Sequence, residues 1–207
     1  MAISAAAVRG VTKEDLEDDL APTAMLDEDG ALTLDFGPRK VRVGFDEKLE
    51  PYVQIEDGAR ARAMPPARKG DDEAPVARAK VIWSDVKEDV NVIAARRIRA
   101  LGQAMVDGRT WSVDRFRTVW LEHRLMKHLG RGVLWTDGTT CFRVAEDGTL
   151  SNEDDAEHAI PTDAKTGVAH PLRMPKEEVD RWRTIFADYE IVQPFAQLER
   201  RLVDVAA

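Results

Sequence analysis

Four histidines, one cysteine and five tryptophans are the residues of this 207-residue chain best able to do chemistry. His123 and His128 lie five residues apart, about 140° around a helix. They therefore cannot chelate one ion from one face, as an i, i+4 pair does. His170 stands beside Pro171 after a predicted strand, and His158 follows the acidic loop SNEDDAEH. No metal-ligand spacing emerges, so no metal and no cofactor are expected. Cys141 falls within TTCFRV, a predicted strand. A reactive thiolate normally sits at a helix N-terminus or in an electropositive pocket, so Cys141 reads as a small core residue.

The carboxylate pairs Asp154-Asp155 and Glu177-Glu178 suit an exposed loop and the first turn of a helix, where the dipole favours negative charge. Phosphate-loop, G-x-S-x-G, H-E-x-x-H, C-x-x-C and EF-hand patterns are absent from the sequence, so no reaction is specified. An enzyme built around His170, Tyr189 and acidic neighbours is the weakest reading, because those residues share only chemical capability. Trp83, Trp111, Trp120 and Trp182 fall on or beside amphipathic helices and Trp135 closes a short strand. That spacing points to a core, although aromatic rings can also stack nucleobases. Among the basic residues, Arg96, Arg99, Arg115, Arg124 and Lys127 are the candidates for a docking face.

Charge distribution supports the choice of that region. The chain carries a net −8, yet residues 60–131 hold 16 Lys/Arg against 9 Asp/Glu, and the remainder 14 against 29. An acidic whole disfavours nucleic acid at long range, while the middle could still present a positive face. A hydrophobic content of 43% with 33% charged residues fits a globular protein with a real core. No apolar run reaches the roughly 20 residues that span a bilayer. The first ten residues, MAISAAAVRG, lack the basic and apolar regions of a signal peptide. One cysteine excludes an internal disulfide. No membrane association and a cytoplasmic location are expected.

The positioning elements follow from hydrophobic period. Residues 1–24 read as a flexible acidic tail. Over 25–63, alternation at Leu32, Leu34, Phe36, then Val41, Val43, Phe45, then Tyr52, Val53 and Ile55 predicts a small antiparallel meander. Asp29-Gly30 marks a hairpin turn, Gly37-Pro38 a second, and Asp57-Gly58 closes it. Residues 64–75, MPPARKGDDEAP, read as a linker or loop. A helical domain with a β insert is expected over 76–207, and 25–207 as one compact unit. Val76, Ala79, Trp83, Val86, Val90 and Ile93, joined by Leu101 and Met105, recur at helical steps over about eight turns.

Ser112 caps a predicted second helix running through Phe116, Val119, Trp120 and Met126 to Leu129. A short antiparallel insert turns at Asp137-Gly138 and Asp147-Gly148. Val168 is expected to open a strand through His170-Pro171-Leu172. Pro175 starts a helix to about Ala187, and Pro194 precedes a last one ending near Val203. The class is α+β: a meander, long amphipathic helices and a short β insert.

Five stretches, AMVDGRTWS, LEHRLMKHL, FRVAEDGTL, GVAHPL and FADYEIVQPFAQLER, together resemble a domain of unknown function in MolR-like bacterial proteins, named for molybdate metabolism regulation. The resemblance spans roughly Met25 to Arg200. It implies membership of longer proteins that add helical repeats and frequently a WGR domain, and it carries over no catalytic residues. The leading functional reading is a non-enzymatic protein-interaction or regulatory module with a protein partner. Nucleic-acid association and an enzyme with an unrecognised site are the alternatives.

Overall fold

The alternating residues of the N-terminal third form a four-stranded antiparallel sheet of order β1-β2-β3-β4 in the computed structural model, which describes residues 26–54 and 60–199. The expected tail, Ile55, Asp57-Gly58 and residues 200–207 lie outside the described residues. Strands β1 (Leu32–Asp35), β2 (Lys40–Phe45), β3 (Pro51–Gln54) and β4 (Arg60–Ala61) follow in order. Leu32 pairs with Val43 and Leu34 with Val41, so period-2 burial on both strands reaches one inner face. Asp29-Gly30 does not join two strands among the described residues. Asp27 instead closes the turn, its N–H donating to the Ala31 carbonyl and its carboxylate accepting the Ala31 N–H at 2.8 Å.

The linker is fastened to the sheet. Arg39 donates to both oxygens of Asp71, with Nη2 to Oδ2 at 2.8 Å, and the Asp72 N–H meets the Phe36 carbonyl. The Arg39 guanidinium, then the Arg68 N–H, hold the Asp71 carboxyl at about 2. From there α1 (Glu73–Asp107) runs for 35 residues, longer than the eight turns expected. Pro75 is its third residue, where the missing N–H removes no helical bond. Gly108, at φ 68, ends it with its N–H on the Ala104 carbonyl. The buried stripe is Val76, Ala79, Trp83, Val86, Val90, Ala94, Arg97, Leu101, Ala104 and Met105. Ile93, expected on that stripe, is only partly buried.

The continuous helix predicted after Ser112 is three pieces. The Ser112 hydroxyl accepts the Arg115 N–H and starts α2 (Val113–Phe116). A π-helical turn, Arg117–Glu122, follows, and the chain then extends at His123. His123 Nδ1 accepts the N–H groups of both Leu125 and Met126 at 3.1 Å and so launches α3 (Met126–Arg131). The break folds α3 back onto the π turn. A β-carbon on Gly130 would come within 2.7 Å of the Trp120 carbonyl oxygen.

The β insert is larger than predicted. Strands β5 (Thr110–Ser112), β6 (Trp135–Thr136), β7 (Cys141–Val144), β8 (Leu150–Ser151) and β9 (Lys165–Val168) form one sheet of order β5-β9-β6-β7-β8. Val168 ends a strand instead of opening one, and Pro171–Arg173 is a 3-10 turn. Proline favours that outcome because it fixes φ and removes a ladder donor. Helix α4 (Lys176–Asp188) follows Pro175 as expected, whereas Ile191–Glu199 contains no helix. The protein is an α+β fold.

One buried cluster joins the first sheet, α1, α2, α3 and the second sheet. At its centre Trp135, fully buried, meets Phe116 edge-on at 4.9 Å and Trp111 at 5.9 Å, with Trp120 tilted at 5.3 Å. Its indole N–H donates to the Gly130 carbonyl at 2.8 Å. All five tryptophans are buried. Each such side chain stabilises the fold by about 1.5–3 kcal/mol or more, and none is placed to stack a base.

Candidate interaction surface

Helix α1 has a second stripe, opposite the buried one. At 100° per residue, Val81, Val92, Arg99, Gln103 and Val106 lie within about 40° of one line along the helix. Val81 is 60% exposed, Val92 66% and Val106 48%. These are half of the six large hydrophobic residues exposed among the described residues. Scattered single exposures carry no message, but apolar residues aligned on one helix do. Along the same stripe Asp85 and Glu88 come before Val92 and Arg96 and Arg99 after it, with Arg78 nearer the N-terminal end. Arg96 and Arg99 border a shallow depression with Ala95, Ala100 and Gln103.

The five basic residues singled out from the sequence have different surroundings. Arg96 and Arg99 are exposed on the outward stripe. Arg115 is half-buried in α2. Arg124 donates to the Leu26 carbonyl at 2.5 Å, and Lys127 to the Glu28 carbonyl at 2.9 Å. Both therefore clamp the N-terminal turn, Arg124 to the segment before α3 and Lys127 to α3 itself. Burial, then the nearby Arg131 charge, lowers the Lys127 pKa. Sequence reasoning missed the three valines. The signal was available in the helical wheel, since Val81 and Val92 are eleven residues apart and so nearly in line.

The residues with chemical capability hold local structure. His123 caps α3, and His170 Nδ1 accepts the Leu172 N–H to cap the 3-10 turn. His128 is kept neutral, its pKa lowered to about 4 by burial and then by the Arg131 and Lys127 charges. His158 Nε2 meets Asp137 Oδ2 at 3.0 Å while its ring stacks on Phe142 at 5.0 Å. Asp137 also accepts the Thr139 and Thr140 N–H groups. Burial works against its ionisation, but these bonds and His158 outweigh that and lower its pKa. The pair thus pins the acidic loop to the β6–β7 turn.

Tyr189 and His170 serve separate arrangements. The Arg143 guanidinium lies 4.0 Å over the Tyr189 ring and donates to Asp155 at 2.7 Å, while the Tyr189 hydroxyl donates to the other Asp155 oxygen. These bonds, Tyr189 first, lower the Asp155 pKa. Asp155 adopts φ +59 and Glu190 φ +53, so the arrangement holds two side-chain-bearing residues in the left-handed region. Arg143 and Tyr189 line an open cleft of about 350 Å³ between the two sheets. Burial, then the Glu178 charge, pushes the Cys141 thiol up to about 12, which opposes a thiolate role. Among the described residues no three His, Cys, Asp or Glu side chains converge as metal ligands, and no helix is long and apolar enough to cross a membrane.

A family model described as a domain of unknown function, DUF4132, matches residues 58–207. The chain belongs to that family. The DUF4132 chain is also similar to the uncharacterized protein YehI of Escherichia coli (strain K12), with 34% identity over 203 residues. The alignment covers 94% of this chain and 17% of YehI, so the chain spans about a sixth of that relative's length. No solved structure matches it.

Proposed function

We propose that this DUF4132 domain is a protein-interaction module, acting in the cytoplasm, whose docking surface is the outward stripe of α1. The observation that carries the reading is the alignment of exposed Val81, Val92 and Val106 beside Arg96 and Arg99 on one 35-residue helix. A straight apolar line flanked by charge is the pattern by which a helix takes an amphipathic partner. The surroundings of the other basic residues favour protein over nucleic acid. Arg124 and Lys127 are engaged on backbone carbonyls, and the tryptophans are in the core. The resemblance to longer MolR-like proteins, which frequently add a WGR domain, is in keeping with a module that serves a larger assembly.

The test is affinity capture of the tagged domain from its native cell, in parallel with Val92→Glu and Arg99→Glu variants of unchanged circular dichroism. Proteins retained by the parent and lost by both variants support the docking face. Retention that is identical in all three contradicts it.

A further inference from the structure

The charge order along α1 bears on which partner fits. A helix laid antiparallel across this face with Val92 against its own midpoint brings residues equally far on either side of Val92 opposite each other. Asp85 lies seven residues before Val92 and Arg99 seven after it; Glu88 lies four before and Arg96 four after. The face is therefore complementary to itself under a two-fold rotation, with each carboxylate opposite a guanidinium and each pair made twice. A parallel arrangement in register instead sets like charge against like, which is repulsive.

We propose that the occupant of the α1 face is a second copy of this chain, paired antiparallel about a two-fold axis at Val92. This rests on the docking reading above and names its partner. At the axis Val92 covers Val92, the most exposed large apolar side chain among the described residues. Val81 meets Gln103, and Val106 meets the aliphatic stem of Arg78. Such an isologous contact closes on itself and stops at a dimer. Exposed ion pairs are individually weak, so the valines supply adhesion while the charges select the antiparallel register.

Sedimentation equilibrium of the intact chain, at low and high salt, tests the pairing. The expected result is a monomer–dimer equilibrium weakened by salt. Asp85→Arg and Arg99→Asp should each raise the dissociation constant roughly tenfold or more. The double swap carrying both substitutions should restore dimerisation, because the reversed pairs are again complementary. Val92→Glu, which introduces like charges at the axis, should give a monomer. A chain that stays monomeric throughout, or a double swap no better than the single reversals, overturns the second-copy proposal. The docking reading itself would survive that outcome, since its own test is the loss of captured proteins in the Val92 and Arg99 variants.

Discussion

Gln197 and Leu134 bond to each other in both directions: the Leu134 N–H donates to Oε1 at 2.9 Å, and Nε2 donates to the Leu134 carbonyl at 2.8 Å. The same Nε2 reaches the Ala169 carbonyl at 2.8 Å. A single fully buried side chain thus acts as a piece of strand at the end of the second sheet. It also fastens the irregular C-terminal stretch beside the Trp182 and Phe186 cluster.

Replacing Gln197 with leucine keeps the volume and strands the Leu134 N–H and the Ala169 carbonyl, while the Leu134 carbonyl keeps its bond from the Ala169 N–H. An unsatisfied buried polar group costs about 1–3 kcal/mol. Gln197→Leu is therefore expected to lower unfolding free energy by roughly 3 kcal/mol, read from the urea midpoint. An unchanged midpoint would mean that water or another side chain takes over these bonds.

Two helical glycines should respond in opposite directions. Helix propensity alone favours Gly→Ala by about 1 kcal/mol. At Gly102 the new β-carbon meets nothing closer than Phe195 at 3.9 Å, so Gly102→Ala should raise Tm. At Gly130 it would meet the Trp120 carbonyl oxygen at 2.7 Å, and backbone cannot yield cheaply. Overpacking of this kind costs about 1–3 kcal/mol, which exceeds the propensity gain, so Gly130→Ala should lower Tm. Thermal melts of both variants decide it.

Much of this architecture was legible in the chain, and the gaps have physical causes. The α1 stripe and the meander could be read because burial there follows a single period over many residues. The break at His123 could not, since the apolar positions on either side continue at helical spacing and the imidazole's bonds to Leu125 and Met126, which start α3, leave no mark on that spacing. Strands of two to four residues, such as β5 and β6, are too short for an alternation to register. Arg124 and Lys127 looked like surface charges because their acceptors, on Leu26 and Glu28, lie nearly a hundred residues away in sequence. Arg96 and Arg99 were identified from charge alone, and the valines that complete their stripe needed the wheel.

His128 makes stability depend on pH. It is neutral in the fold, with a pKa of about 4 against an ordinary 6.5, so the unfolded chain binds the extra proton between those values. Stability contributed by the neutral imidazole is complete above 6.5 and is lost as pH falls toward 4, by roughly 3 kcal/mol. Asp71, held at about 2, loses its contribution only below its unfolded value near 4. Urea titrations at pH 7, 5.5 and 4.5 should show a decline that His128→Gln removes. An equal decline in the variant would assign the effect elsewhere.

Photo-crosslinking in the native cell addresses the docking face most directly. A benzophenone amino acid at Val92 or Arg99, on the outward stripe of α1, is expected to give discrete adducts, whereas one at Thr139, exposed on the β6–β7 turn, gives none. Position 92 and position 99 remaining without adducts, or reacting no more selectively than position 139, would contradict an interaction surface on α1.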